Sequence, residues 1–293
     1  MIRVLLQRYL PLKTKANLSR SIKRWKMQRL SKRPPLIESR FVDIIRNELG
    51  VESGDVVYIS SAMDQLGLGF PPHETLLLLR EIVGEEGTLL FPTYPKGRSF
   101  EFLSCGKVFD VRRTPSHTGL LTELARRVPG AARSFHPTKS VCAVGPLAGE
   151  LTNTHQQSPY PYDECSPYFK IMHYGGKLIG LGVSTSYLAF NHTIEDALKD
   201  KFPVATYFPH LFQAKCINHE GFPETVKTYA HDHTKMVFIV ERYMRRHISK
   251  MVCEDMVIDH RSFFRADSVE LFNNMFNLAQ DGVTIYSKTV YKH

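Results

Sequence analysis

Two residues with catalytic potential stand three apart in the stretch Asn191-His192-Thr193-Ile194-Glu195. On a helix this spacing puts an imidazole and a carboxylate on one face. The carboxylate can fix the ring's tautomer and stabilise the imidazolium formed when the other nitrogen takes a proton, which is the arrangement of a general base. From spacing alone an ordinary surface pair on a helix reads equally well. His231-Asp232-His233 is the only other histidine cluster, nothing in the sequence joins it to His192, and no metal site is expected. Other polar candidates follow apolar runs: Ser60 and Ser61, Thr93 and Tyr94, Ser184 and Thr185. The stretch 133–140 concentrates Arg133, His136 and the hydroxyls of Ser134, Thr138 and Ser140, a composition suited to anion binding, substrate orientation or a capped turn. The stretch 114–119, with Thr114, Ser116 and Thr118, suits either capping of the helix that follows or holding of a phosphate.

Alternating elements must carry these residues. Ile37, Phe41, Ile44, Ile45 and Leu49 form a helical stripe closed by Gly50. Strands are predicted over 55–60, 87–92 and 177–183, and helices over 73–84, 120–127, 188–198, 234–247 and 268–279. Helix and strand alternate with short connections, the α/β pattern, in which ligands sit beyond the carboxyl ends of the strands. The glycine pairs Gly67/Gly69 and Gly180/Gly182 read as ligand loops or, more simply, as turn and sheet packing. No GxxxxGK[ST] phosphate loop and no GxSxG elbow occurs, which argues against nucleotide triphosphate use and standard serine-hydrolase chemistry.

Charge divides the chain unevenly. Residues 1–40 hold 12 Lys/Arg and one acid, a net +11, whereas the rest sums to −2 within an overall +9. Residues 1–36 therefore read as a basic N-terminal extension and 37–293 as the functional domain. Within the extension Leu18, Ile22 and Trp25 fall at helical spacing among bases, a pattern suited to an anionic membrane surface, to an acidic partner or to packing on its own domain, with nucleic acid least favoured. Five cysteines without a CxxC pair, and no apolar run near the roughly 18–20 residues of a membrane span, lead to the expectation of a cytoplasmic protein, peripheral at the inner membrane face if the extension binds lipid.

Six blocks, in order, resemble the aminoglycoside 3-N-acetyltransferase (antibiotic N-acetyltransferase) family: 54–67, 87–93, Thr114-Pro115-Ser116, 129–141 with its His136-Pro137 step, Ser166-Pro167, and 178–195 ending in His192-x-x-Glu195. The resemblance implies an α/β fold with a central mixed sheet flanked by helices, and direct transfer of acetyl from acetyl-CoA to a primary amine of an amino sugar or aminoglycoside, without metal. It implies His192 as general base, Glu195 as its orienting carboxylate, Thr93 as a donor at the thioester oxygen, Ser60, Ser61, Thr114 and Ser116 along the pantetheine and phosphates, and Ser134 and His136 in a structural or CoA-side role. The sequence departs from the family in having Ser60-Ser61-Ala62 at the first site, an aromatic stretch around Tyr160 and Tyr162, and the basic extension. A body charge of −2 does not demand the acidic cleft that a polycationic aminoglycoside calls for, so an amino-sugar precursor of a surface polysaccharide is the leading acceptor and a true aminoglycoside the rival. A non-catalytic CoA- or nucleotide-binding module and a metal-dependent hydrolase are the readings of other classes.

Overall fold

The computed structural model describes residues 32–287 and, outside that span, only Thr14 and Ser21. The proposed amphipathic stripe of Leu18, Ile22 and Trp25 lies outside the described residues. Pro34 and Leu36, assigned to the extension above, are docked on the body. The Pro34 carbonyl accepts from Arg261 Nη2, and Leu36 exchanges backbone hydrogen bonds with Gly67 and Gly69.

Among the described residues ten strands build two sheets: β1 (Val56–Ser61), β2 (Thr88–Pro92), β3 (Phe109–Asp110), β4 (Ala132–Arg133), β5 (Val141–Val144), β6 (Lys177–Leu181), β7 (Phe212–Ile217), β8 (Pro223–Thr228), β9 (Cys253–Ile258) and β10 (Arg261–Asp267). The main sheet runs β4-β5-β2-β1-β6-β10-β9. Its centre, β2-β1-β6, is parallel, and each flank is antiparallel. This is the mixed sheet the resemblance implied. A second sheet, β3-β7-β8, stands beside it.

Strand alternation explains the layering. Along β1, Val56 and Tyr58 enter one core and Val57 and Ile59 the other, so both faces of the sheet are buried. One face is covered by α1 (Glu38–Asp43) and its continuation through 44–48, by α2 (Glu74–Val83) and, after α3 (Ser99–Ser104), by α4 (Leu120–Ala125). The other is covered by α5 (Ala148–Thr152), α6 (Pro167–Lys170), α7 (Thr193–Leu198), α8 (Val240–His247) and α9 (Ser268–Gln280). Helix α3 instead lends Phe102 to a small third core on the second sheet.

The glycine pair of β6 serves packing. A side chain on Gly180 would meet the Phe264 ring at 2.1 Å, and Gly182, at φ +74°, sits against the Ala62 carbonyl. The helix expected over 188–198 is helical turns through 185–192 and becomes α7 only at Thr193. The helix expected over 234–247 begins at Val240. Among the described residues no helix is long and apolar enough to cross a membrane.

Candidate active site

The parallel strands β2, β1 and β6 end on one side of the sheet, and the chain leaving β6 turns back to present His192 at the first turn of α7. His192 Nδ1–H donates to Glu195 Oε1 at 2.7 Å, the i,i+3 contact expected from the sequence. Glu195 and Asp196 occupy the first turn of α7, where the helix dipole favours negative charge.

Glu195 is the hub of the arrangement. Its side chain is 1% exposed, yet Oε2 accepts from His231 Nε2 at 3.1 Å, and Oε1 accepts from the Tyr286 hydroxyl as well as from His192. Burial alone would push this carboxyl up; its interaction with His192 and the hydrogen bonds from both imidazoles outweigh it and hold the group well below the usual carboxylate range. His231 is pushed down to about 3 by burial, against the hydrogen bond to Glu195. It stays neutral, and its ring stacks on Tyr207 at 4.5 Å.

The His231-Asp232-His233 cluster, which spacing did not connect to His192, is thus joined to it through Glu195. The ligand-type atoms of His192, Glu195 and His231 lie within 4.8 Å of one another, as a metal site would require. Here they are spent on one another, because the carboxylate bridges two imidazole N–H donors.

With Nδ1 donating to Glu195, His192 keeps a lone pair on Nε2, which has no hydrogen-bond partner among the described residues. The His192 side chain is 15% exposed, against 1% for Glu195 and His231. The three groups therefore form an open-ended chain: a reachable proton acceptor backed by a buried anion. Tyr162 and Phe238 flank the His192 ring at 5.1 and 6.0 Å. Asp196 holds the wall behind Tyr162. Its Oδ2 accepts from the Tyr162 N–H and its Oδ1 from the Tyr207 hydroxyl, both at 2.7 Å, while burial pushes its carboxyl up.

Several expected contact residues are enclosed instead. Thr93 is fully buried, and its Oγ1 lies among Ser140, which it meets at 3.2 Å, and Arg133 Nε. The Thr93 hydroxyl expected at a thioester oxygen is engaged here by the protein's own groups. Arg133 itself donates to the carbonyls of Thr93, Val111 and Thr114, with no carboxylate partner among the described residues, and burial lowers it to about 10. It clamps the second sheet to the first rather than binding an anion.

Ser134 and His136 have structural roles. Ser134 Oγ accepts from the Val141 N–H and donates to His155 Nδ1, at 2.8 and 2.7 Å. His136 Nδ1 accepts from the N–H groups of Thr138 and Lys139, and Nε2 donates to Thr228 Oγ1. The stretch around Thr114 and Ser116 is closed on itself. Thr114 Oγ1 accepts from the Asp110 N–H; Ser116 Oγ is shared with Thr118 and Thr122. The Ser116 N–H already faces the Glu123 carboxylate, which Arg126 holds down at about 2, so a phosphate there would meet a fixed negative charge. Neither residue is presented as a phosphate ligand.

Ser60 donates to the Tyr187 carbonyl at 3.2 Å. Ser61 differs, since its Oγ is buried without a partner, as are Gln65 Nε2 and Asn191 Oδ1. Ser184 and Thr185 are tied to Glu241 and Asp255. The residues whose place beside His192 sequence reasoning missed are His231, Tyr286, Tyr162 and Asp196. Of these only the His231 cluster and the aromatic stretch around Tyr162 stood out in the sequence, and the link of His231 to His192 spans 36 positions to Glu195.

Comparison with known proteins adds to this geometry. A family model described as aminoglycoside 3-N-acetyltransferase matches residues 60–269. The aminoglycoside N(3)-acetyltransferase III of Salmonella sp is 29% identical over 64% of this chain and 77% of that protein. Among solved structures, the aminoglycoside acetyltransferase AAC(3)-Xa superposes with a TM-score of 0.73 at 19% identity, over 90% of this chain and 99% of that one. A binary complex of AAC-IIIb with CoASH superposes at 0.69 and 20% identity, over 85% and 98%.

Proposed function

Because this chain belongs to the aminoglycoside 3-N-acetyltransferase family, we propose that it moves an acetyl group from acetyl-CoA to a primary amine of a sugar-like acceptor, with His192 as general base. The observation that carries this reading is the unpartnered, reachable Nε2 of His192 backed by the triply hydrogen-bonded Glu195.

The chemistry follows from the acceptor's charge. An ammonium has no lone pair, so one proton must leave before attack and a second as the C–N bond forms. The C–S bond breaks, one of these protons ends on the CoA sulfur, and the other goes to solvent. His192 Nε2 takes the proton from the attacking nitrogen, and Glu195 stabilises the resulting imidazolium; such a base contributes about 10²–10⁴ in rate. Holding amine and thioester together supplies much of the remainder.

The residues present suit the donor. Ser61 Oγ at the end of β1 and Gln65 Nε2, whose side chain lies against Gly182 just past β6, are buried and unsatisfied. Such groups favour a polar chain with amides to pair with them, which pantetheine has. Acetyl-CoA supplies the activated acyl group.

On the acceptor side, the support is the partly exposed ring of Phe238 beside His192, suited to the apolar face of a sugar ring and backed by the buried Tyr162, while Glu195 and Asp196 are both committed to internal hydrogen bonds. This favours an amino sugar with a single amine, such as a polysaccharide precursor. The relatives' names place aminoglycosides beside it in any assay. Release of CoA thiol, measured over a panel of amino sugars and aminoglycosides, tests the reading. Turnover with an amine supports it; no thiol release with any amine contradicts it.

We further propose that residues 1–31, the core of the +11 segment, hold the enzyme on anionic membranes, at about 1 kcal/mol per Lys or Arg near the lipid. Deleting 1–31 spares the docked Pro34 and Leu36 and is expected to abolish sedimentation with anionic vesicles. Unchanged sedimentation contradicts this.

A further inference from the structure

One cation beside the site has no use in the mechanism above. Lys139 follows the buried His136 turn, and its backbone is pinned on both sides: its N–H donates to His136 Nδ1 at 3.0 Å and its carbonyl accepts from the Tyr168 hydroxyl at 3.2 Å. The side chain is half-buried over aromatic rings, with Nζ 4.8 Å from the Tyr94 centroid and 5.9 Å from that of Tyr162. Tyr162 is the ring that flanks His192 at 5.1 Å, so the two groups share one neighbour. Among the described residues Lys139 has no carboxylate within ion-pairing distance and Nζ makes no hydrogen bond. The site's two carboxylates are already engaged by other donors. A desolvated ammonium held by a rigid turn, without an anion, is costly unless a ligand supplies one.

We propose that Lys139 sets acceptor specificity by receiving an anionic group, a phosphate or carboxylate, carried by the amino sugar whose amine faces His192. This deepens the proposed transfer reaction and rests on it. It favours a negatively charged amino sugar over a polycationic aminoglycoside. Burial lowers the Lys139 ammonium to about 8, with Glu195 opposing. The other titratable groups facing it are Tyr94, Tyr162, His136, His231 and His233, the histidines being neutral through burial. The preference therefore declines as pH rises above about 8 in the free enzyme.

The test compares glucosamine, glucosamine 6-phosphate and 2-amino-2-deoxyglucuronic acid as acceptors with acetyl-CoA. Wild type is expected to favour one of the charged sugars over glucosamine in kcat/KM by about tenfold or more, the worth of a charge-assisted hydrogen bond. Which charged sugar wins distinguishes phosphate from carboxylate. Lys139→Gln is expected to bring that ratio close to one, and Lys139→Arg to retain it, with circular dichroism confirming that both variants fold. Calorimetric binding of the same sugars without acetyl-CoA separates this inference from the transfer reaction. If no amine is acetylated but the charged sugar binds more tightly to wild type than to Lys139→Gln, the role of Lys139 stands and the transfer reading falls. Equal use and equal binding of charged and neutral sugars by wild type, or a preference unchanged in Lys139→Gln, overturns the inference.

Discussion

Glu195 carries a charge where burial favours neutrality, and three donors make that possible. Each donor is then a test. Tyr286→Phe removes one hydrogen bond to a buried carboxylate, expected to cost about 1.5–3 kcal/mol in a urea titration. Glu195→Gln keeps an amide oxygen for one imidazole N–H but turns an NH2 toward the other, which drives that ring into its other tautomer. Where that ring is His192, the proton moves to Nε2 and the base is lost; kcat is expected to fall about tenfold or more with KM for acetyl-CoA little changed. A mutant with unchanged kcat contradicts the orienting role. At this scale the sequence made His192 and Glu195 legible because helix geometry fixes residues three apart. His231 and Tyr286 were not legible, since each reaches Glu195 through the tertiary fold, from 36 and 91 positions away. Sequence leaves the roles of Thr93, Ser134 and His136 open, because polar residues at strand ends look alike whether they face a ligand or one another.

The central strands hold the site, and their packing leaves little room. The Phe264 ring lies over Gly180 where β10 pairs with β6, so Gly180→Ala forces a backbone or ring shift, at an expected cost of about 1–3 kcal/mol in the urea midpoint. An unchanged midpoint would show that the strand pair yields easily. Strands β1, β2 and β6 were readable as apolar runs because both their faces are buried. Strands β8 and β9 were not: their sequences, Pro-Glu-Thr-Val-Lys-Thr and Cys-Glu-Asp-Met-Val-Ile, alternate polar and apolar weakly because each lies at a sheet edge and is largely exposed. The helix expected over 234–247 starts six residues late because residues 232–239 make turns and backbone pairs instead, including Ile239 with Ile285.

Buried neutral histidines give the whole molecule an acid-sensitive stability. Burial holds His136 well below its ordinary value and lowers His155 and His231 to about 3 and His233 to about 4. Below about pH 6.5 the unfolded chain takes up protons that the native state refuses, so stability falls with pH, and continues to fall through the folded values near 3 to 4. Asp196, pushed up by burial, opposes this by up to one proton. A net of roughly three protons gives a slope approaching 4 kcal/mol per pH unit at its steepest. Thermal scans are expected to show Tm nearly steady between pH 7 and 8 and dropping sharply below pH 6; a Tm flat down to pH 4.5 contradicts the burial of these rings. The three-layer architecture was legible from helix–strand alternation, whereas the second sheet was not, because its strand β3 is two residues long. All these levels converge on turnover by the intact enzyme, where the most direct measurement is kcat/KM for thiol release from acetyl-CoA with its best amine, in wild type and in His192→Ala. The account predicts a loss of about 10²–10⁴ with the fold and acetyl-CoA binding retained; a rate within a few-fold of wild type contradicts it.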